Sequence, residues 1–336
     1  MPKYPKINYI GNKEKIVDWI IAELPIKGGV VVDIFAGGCS VSYALKGAGF
    51  KVVANDVLYA DYVIAKALVE NDDTRLRLDV FNTDVSAEAV NKNKERLKIL
   101  SERLYYSTEI DELAKLITIA ETLKEQEKYV FLALLRRAMI RKLPYSRMNV
   151  PWNQIKILRD EDYSYKKYKR KRSYHNQSFE SHMRANLDDY NKAIFSAEKC
   201  IAVRKDVIQL AKEIKKVDLV YMDPPYPSTM NNYDAFYGLF DEALGEAMHH
   251  TDFTNKTTFL VNLESLISSL VGKTDYIVLS QNTRVKPEPE VIEKMLSRFG
   301  RVDIKEKKHN YQVTGKGNKN SSKELLFILE LNDNIE

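Results

Sequence analysis

The chain has 336 residues, of which 44% are hydrophobic and 29% are charged, as in an ordinary globular protein of one large or two moderate domains. Its two cysteines, far apart in sequence, indicate no disulfide framework and no thiolate metal cluster, and its net charge of +5 is too small to identify a partner. No apolar stretch approaches membrane-spanning length and the N-terminus lacks the apolar segment of a signal peptide, so we expect a cytoplasmic protein.

Residues 1–60 alternate between helical and strand patterns. Residues 13–24 have the apolar periodicity of a helix, and residues 30–35 and 50–54 have the composition of buried strands. A turn that contains glycines and an apolar helix ending near Leu45 join the two strands. This βαβ unit predicts a domain of the α/β class.

The composition changes near residue 72. From Asp84 to about Leu143 the chain is rich in Lys, Glu and Leu, which predicts amphipathic helices, whereas residues 144–190 look more irregular. Further strand patterns occur at residues 199–203, 217–222, 276–280 and 325–329. We therefore predict a split α/β domain, residues 1–70 and 196–336, interrupted by a mainly helical insert, residues 71–195.

The strand pattern 217–222 ends in Asp223-Pro224-Pro225-Tyr226. The two prolines stop the strand and remove two N–H donors, so a carboxylate and free carbonyl groups follow its carboxyl end. Ligands of open α/β sheets bind at this edge. A carboxylate, a free carbonyl and an aromatic ring suit a planar base that carries an amino group. The alternative is a strand that simply ends in a proline turn.

The strand 30–35 leads into a turn that contains Gly37 and Gly38. Glycines there let a ligand approach the backbone, and the following helix N-terminus favours electronegative groups. Asp56 ends the next strand about twenty residues on, the spacing at which a carboxylate binds ribose hydroxyls. A structural turn or a dinucleotide site would also explain this pattern. The glycine spacing differs from the dinucleotide fingerprint, which argues against NAD and favours a smaller adenosine-bearing ligand.

A third motif, Asn8-Tyr9-Ile10-Gly11-Asn12-Lys13, precedes the first helix. With the glycine turn, Asp56 and the Asp223–Tyr226 segment, it makes the chain resemble the DNA adenine methyltransferases of the α arrangement, known from restriction–modification systems. The resemblance covers about residues 5–65 and 195–330. It implies a Rossmann-like S-adenosylmethionine-dependent fold with a mixed seven-stranded sheet, and an insert that recognises DNA. It also implies methyl transfer from S-adenosylmethionine to the exocyclic N6 amine of an adenine flipped out of double-stranded DNA, with a restriction endonuclease as a candidate partner.

The same resemblance assigns roles by position. The residues matched to cofactor binding are Tyr9, Lys13, Asp33, Phe35, Gly37, Gly38, Asp56, Asp206 and Asp223. The residues matched to catalysis are Asp223, Pro224, Pro225 and Tyr226. Cys39 stands where the family more often has a glycine, and a helix-capping role for Asp206 is an equal alternative. We expect the adenine to stack on Tyr226 and to donate hydrogen bonds to Asp223 and the Pro224 carbonyl.

Candidate DNA contacts lie mostly in the insert. A basic stretch interleaved with tyrosines contains Lys166, Lys167, Lys169, Arg170, Lys171 and Arg172, which suits phosphate contacts, although a solvated loop is the alternative. Upstream arginines that could contact DNA are Arg136, Arg137, Arg141 and Arg147. Residues 278–284 resemble a motif that walls the target-base pocket, which makes Asn282 a further candidate, and Gln281 stands where the family often has tyrosine. Residues 307–330 resemble the closing hairpin of the family.

Several other functions compete with adenine methylation. RNA and protein-glutamine methyltransferases more often have asparagine at the position of Asp223 and lack the Tyr9–Lys13 motif. Cytosine N4 methylation uses the same chemistry, but that branch more often has serine at the position of Asp223. A DNA-binding protein with an inactive methyltransferase core is a further alternative, against which the intact Asp56 and Asp223–Tyr226 argue. An NAD enzyme conflicts with the glycine spacing. No histidine cluster has metal-ligand spacing, so we expect no metal site.

Overall fold

Seven strands form one mixed sheet in the computed structural model, which describes residues 1–227, 232–308 and 322–332. The strands are β1 (Val30–Asp33), β2 (Lys51–Asn55), β3 (Ile201–Val203), β4 (Val217–Met222), β5 (Thr274–Asn282), β6 (Gly300–Lys308) and β7 (Lys323–Leu331). Their order across the sheet is β3-β2-β1-β4-β5-β7-β6, and β7 runs antiparallel to both of its neighbours. The predicted α/β fold with a mixed seven-stranded sheet is confirmed, and β6 is a strand for which no pattern was predicted.

The central strands are buried on both faces. In β4, Leu219 and Tyr221 belong to one hydrophobic cluster, whereas Val220 and Met222 belong to the cluster on the opposite face. Side chains of a strand alternate between the two faces, and a parallel strand covered on both sides therefore has an almost continuous apolar sequence. The strand ends at Met222 because the prolines that follow cannot extend the hydrogen-bond ladder.

Helices cover both faces of the sheet. Their bounds are α1 (Val17–Glu23), α2 (Ser40–Gly47), α3 (Tyr59–Ala65), α4 (Ala87–Leu97), α5 (Ser107–Thr122), α6 (Glu125–Arg141), α7 (Trp152–Arg159), α8 (Glu161–Tyr168), α9 (Phe179–Ala193), α10 (Val207–Glu213), α11 (Tyr233–Leu244), α12 (Phe259–Ser268) and α13 (Pro289–Leu296). The expectation that residues 144–190 are irregular is wrong, because α7, α8 and most of α9 lie there. These three helices have mostly polar sequences, and each buries only one narrow side, for example the side of α7 that contains Ile155 and Leu158.

The residues between β2 and β3, all of them described, contain no strand of the sheet. Their helices share a hydrophobic cluster with the sheet, since Phe131 and Leu135 of α6 belong to the same cluster as Ala54 of β2 and Ile64 of α3. The helical character predicted for the insert is therefore observed, while its limits and its role in DNA recognition stay predictions. The turn of the predicted closing hairpin, within residues 309–321, lies outside the described residues.

No helix in the described ranges is both long enough and apolar enough to span a bilayer.

Candidate active site

A cleft opens at the carboxyl ends of β1 and β4, which are neighbours in the sheet. The cleft is partly open to solvent and is lined by both apolar and charged side chains. Its lining includes every residue matched to cofactor binding, namely Tyr9, Lys13, Asp33, Phe35, Gly37, Gly38, Asp56, Asp206 and Asp223. Residues from five separate stretches of the chain thus meet in one cleft.

The glycine turn after β1 is shaped around Tyr9. A Cβ atom on Gly37 would lie 2.7 Å from the Tyr9 hydroxyl oxygen, and one on Gly38 would lie 2.9 Å from the ring. Gly37 has a φ of +50° and Cys39 has a φ of +63°, so the turn uses the left-handed region twice. The glycines therefore allow a tyrosine side chain to approach the backbone, in addition to any ligand.

Two carboxylates stand on either side of this turn. One oxygen of the buried Asp33 accepts a hydrogen bond from Ser42 Oγ at 2.6 Å, and the other has no hydrogen-bond partner among the described residues. Burial raises the pKa of Asp33 to about 7. Asp56 accepts the N–H groups of Gly37 at 2.8 Å and Leu58 at 3.0 Å, and burial raises its pKa as well. Both groups are hydrogen-bond acceptors at the edge of the cleft.

Asp206 caps helix α10. One carboxylate oxygen accepts the Ile208 N–H at 2.9 Å, and the other accepts the Thr251 N–H at 2.7 Å. Burial acts to raise the pKa of Asp206, but the hydrogen bonds from Thr251 and α10 outweigh it and lower that pKa. The capping alternative is therefore observed, and Asp206 lines the cleft at the same time. A contact with the cofactor adenine stays a prediction.

The carboxylate of Asp223 faces the cleft from the end of β4. Its Oδ1 atom lies 3.3 Å from Lys13 Nζ, and its side chain is 24% exposed, so the ion pair is open to the cleft. Burial raises the pKa of Asp223 to about 6, against the opposing effect of Lys13. Lys13 also lies 3.4 Å from Glu324 of β7, a residue to which no role was assigned from the sequence.

Tyr226 is buried beside this carboxylate. Its ring centre lies 5.2 Å from that of Phe259, and its hydroxyl donates a hydrogen bond to the Ser280 carbonyl oxygen at 2.7 Å. Pro225 lines the cleft, whereas Pro224 and Tyr226 are not part of its described lining. The stacking of an adenine on Tyr226 and the hydrogen bond to the Pro224 carbonyl therefore stay predictions.

A family model described as D12 class N6 adenine-specific DNA methyltransferase matches residues 9–309. The chain belongs to this family. It is 43% identical to the type II methyltransferase M2.HphI of Haemophilus parahaemolyticus, over 98% of each chain. A solved precorrin-8w decarboxylase from Methanobacterium thermoautotrophicum aligns with 98% of this chain and 100% of its own, at 11% identity and a TM-score of 0.36, which is too low to support an argument.

The function is thus methylation of DNA at adenine N6, and the family match does not favour the cytosine-N4 or inactive alternatives. In this adenine methyltransferase, no group of three or more His, Cys, Asp or Glu side chains is arranged to hold a metal ion within the described ranges.

The candidate DNA contacts of the methyltransferase differ in exposure. Lys166, Lys167, Lys169, Arg170 and Lys171 are exposed, at the end of α8 and in the segment after it. The guanidinium carbon of Arg172 lies 4.1 Å from the ring centre of Tyr168, and that of Arg141 lies 4.0 Å from the ring centre of Tyr174. These two tyrosines therefore already stack on arginines of the same chain.

Two other candidates contact protein groups. Arg147 lies over the rings of Tyr145 and Phe236, at 5.6 and 5.5 Å. The side-chain amide of Asn282 donates hydrogen bonds to Ser322 Oγ at 2.9 Å and Glu324 Oε1 at 2.8 Å. Neither contact tests a role in DNA binding, which stays a prediction for both residues.

The suggestion that Arg136 and Arg137 contact DNA is wrong, because both side chains are buried. Arg136 pairs with the buried Asp61 at 3.3 Å and donates a hydrogen bond to the Ile7 carbonyl at 3.1 Å. Arg137 donates to the Lys6 carbonyl at 2.5 Å. Through these hydrogen bonds, both arginines connect α6 to the N-terminal segment that contains Tyr9 and Lys13.

Proposed function

We propose that this methyltransferase transfers the methyl group of S-adenosylmethionine to the N6 amine of an adenine that is flipped out of double-stranded DNA at a specific sequence. The observation that carries the proposal is the position of Asp223, at the end of β4, in the cleft that also contains Asp33 and Asp56. A duplex hides the exocyclic amine, so the base has to leave the helix before it can reach a carboxylate at this depth.

The residues of the cleft fit S-adenosylmethionine. The unpartnered oxygen of Asp33 suits the ammonium group of the methionine part, and Asp56 suits the ribose hydroxyls. Phe35 and Asp206 suit the adenine, by ring contact and by accepting its amine, and Tyr9 with Lys13 borders the methionine part. When bound, S-adenosylmethionine supplies a methyl group on a positively charged sulfur.

Asp223, Pro224 and Tyr226 orient the target base in this proposal. The Asp223 carboxylate and the Pro224 carbonyl accept hydrogen bonds from the exocyclic amine, and Tyr226 stacks on the purine. Such alignment contributes most of the rate, since a well-oriented reactant pair can be worth ~7–11 kcal/mol. Asp223 need not be a strong base, because the amine becomes acidic once it is methylated.

The insert, residues 71–195, is the proposed recognition domain, and its exposed basic stretch, residues 166–172, is the proposed phosphate contact. The relative from Haemophilus parahaemolyticus is named a type II methyltransferase. By analogy we propose that this enzyme acts in a restriction–modification system, alongside a cognate endonuclease. Because its substrate is genomic DNA, we propose a cytoplasmic location.

The test replaces Asp223 with alanine and measures methyl transfer to unmethylated genomic DNA, followed by identification of the modified nucleoside and its sequence context. We expect single-turnover transfer to fall by ~100-fold or more, as when a positioned electrostatic group is removed from an active site. Asp275→Ala is the control, because this exposed carboxylate lies at the opposite end of the sheet, on β5. Turnover of D223A close to that of the unmodified enzyme would refute the proposed role, provided that circular dichroism shows both variants folded.

A further inference from the structure

Glu324 is a buried carboxylate next to the proposed catalytic residue. It lies on β7 opposite Asn282 of β5, and its side chain has no exposed area. One oxygen accepts the Asn282 amide at 2.8 Å, and the other lies 3.4 Å from Lys13 Nζ. Burying a carboxylate completely is costly unless a cation and hydrogen bonds compensate for the lost water, so Glu324 depends on Lys13.

Lys13 is also 3.3 Å from Asp223, so two carboxylates share one ammonium group. An Asp223 carboxylate with a lysine of its own would be a weaker hydrogen-bond acceptor, because the lysine would neutralise most of its charge. Without any lysine, the two carboxylates would repel each other and one would bind a proton. With the shared ammonium group, Asp223 is a stronger acceptor than it would be with a lysine of its own, and it binds a proton less readily than it would without any lysine.

We propose that Glu324 is a positioning residue for methyl transfer, which holds Lys13 so that Asp223 stays ionised and yet remains a strong acceptor for the adenine amine. The inference rests on the proposed role of Asp223. It assigns a function to β7, the last of these strands in chain order, which contributes no residue to the cofactor cleft.

Several groups act on the Asp223 carboxylate besides its own burial, which is the largest influence on its pKa. Lys13 lowers that pKa and Glu324 raises it. Asp33 on β1, Tyr221 on β4 and Tyr226 are the other titratable groups that interact with it. Removing the charge of Glu324 must therefore lower the pKa of Asp223, and removing the charge of Lys13 must raise it.

The test is the Glu324→Gln variant, which keeps the shape of the side chain and an oxygen for the Asn282 amide. Single-turnover methylation of unmethylated genomic DNA is measured as a function of pH. We expect the rate at the pH optimum to fall on the order of 5- to 10-fold, as a charge-assisted hydrogen bond weakens toward an ordinary one. We also expect the acid limb of the pH–rate profile, where the rate falls as Asp223 binds a proton, to move to lower pH.

The matched control is Glu330→Gln, six residues further along β7, where the side chain is 47% exposed and pairs with Arg301. Its rate and acid limb should equal those of the unmodified enzyme. Lys13→Gln is a second test with the opposite sign, because its acid limb should move to higher pH. It keeps the inference testable if E324Q does not fold.

An acid limb that stays in place in folded E324Q, whatever its rate, would overturn the inference, because the charge of Glu324 would then have no effect on Asp223. An acid limb that moves to lower pH in K13Q would overturn it too. The outcome with D223A separates the two proposals. If D223A is active, the role of Asp223 fails and the inference with it, whereas an inactive D223A with an unshifted E324Q removes the inference alone.

Discussion

The turn after β1 leaves room for the Tyr9 ring and also has a left-handed backbone conformation at Cys39. Gly37 and Gly38 have no Cβ atom because the Tyr9 ring occupies the space where one would lie. Cys39, directly after them, is fully buried and has a φ of +63°, a conformation that costs side chains with a Cβ atom about 1–2 kcal/mol. The turn beside the cleft therefore contains a strained residue that has no assigned chemical role.

The strain at Cys39 predicts how its substitutions should rank. Cys39→Gly should be more stable than Cys39→Ala by about 1 kcal/mol, because glycine alone adopts a positive φ without steric cost. Both variants lose the buried sulfur, so they differ from each other only in the Cβ atom and in the backbone freedom that its absence gives. The measurement is the free energy of unfolding in urea at equal m-values. An alanine variant as stable as the glycine variant would show that the turn relaxes.

Among the elements, α8 and the segment after it carry a cluster of exposed cations within the insert. We expect Lys166→Gln, Lys167→Gln and Lys169→Gln together to weaken DNA binding and to flatten its dependence on salt. For every phosphate that the protein no longer neutralises, the slope of log K against log salt should become shallower by ~0.9. The measurement is a salt titration of affinity for a duplex of arbitrary sequence.

The control for this titration is a variant with Lys92→Gln and Lys98→Gln, two exposed lysines on or just after α4. It removes two positive charges from another part of the insert, against three in the test variant, and its slope should match that of the unmodified enzyme. Equal slopes for all three proteins would remove residues 166–169 from the DNA interface.

The elements also show what the sequence can and cannot predict. The end of β4 was predictable because the prolines after Met222 are strong local signals. β6 was not predictable, because Gly300–Lys308 is rich in charged residues. It lies at the edge of the sheet, where it pairs with one strand. The residues of the site were likewise predictable only in part. Asp223 follows from its local motif, whereas the contact of Glu324 with Lys13 joins residues 311 positions apart.

At the scale of the whole molecule, one hydrophobic cluster extends from the sheet into the insert. We therefore expect both parts to unfold together, although a chain of this length often unfolds in stages. The chain has two tryptophans, Trp19 on α1 and Trp152 on α7 of the insert. Trp152→Phe and Trp19→Phe variants each leave one fluorescent reporter, and their urea transitions should have the same midpoint after correction for the stability of each variant.

Circular dichroism of each variant supplies that correction, because it follows all helices at once. A fluorescence midpoint for Trp152 well below the dichroism midpoint of the same variant would mean that the insert opens independently. In that case the insert would be a separate folding unit within the limits 71–195, in spite of the cluster that it shares with the sheet.

The antiparallel insertion of β7 between β5 and β6 has a consequence for synthesis in the cell. Residues 323–331 are made after every other strand of the sheet, yet they fill the place between β5 and β6 and bring Glu324 to Lys13. A chain still attached to the ribosome before residue 331 has emerged would leave β5 and β6 unjoined. Newly made enzyme should therefore modify no chromosome until this strand is in place.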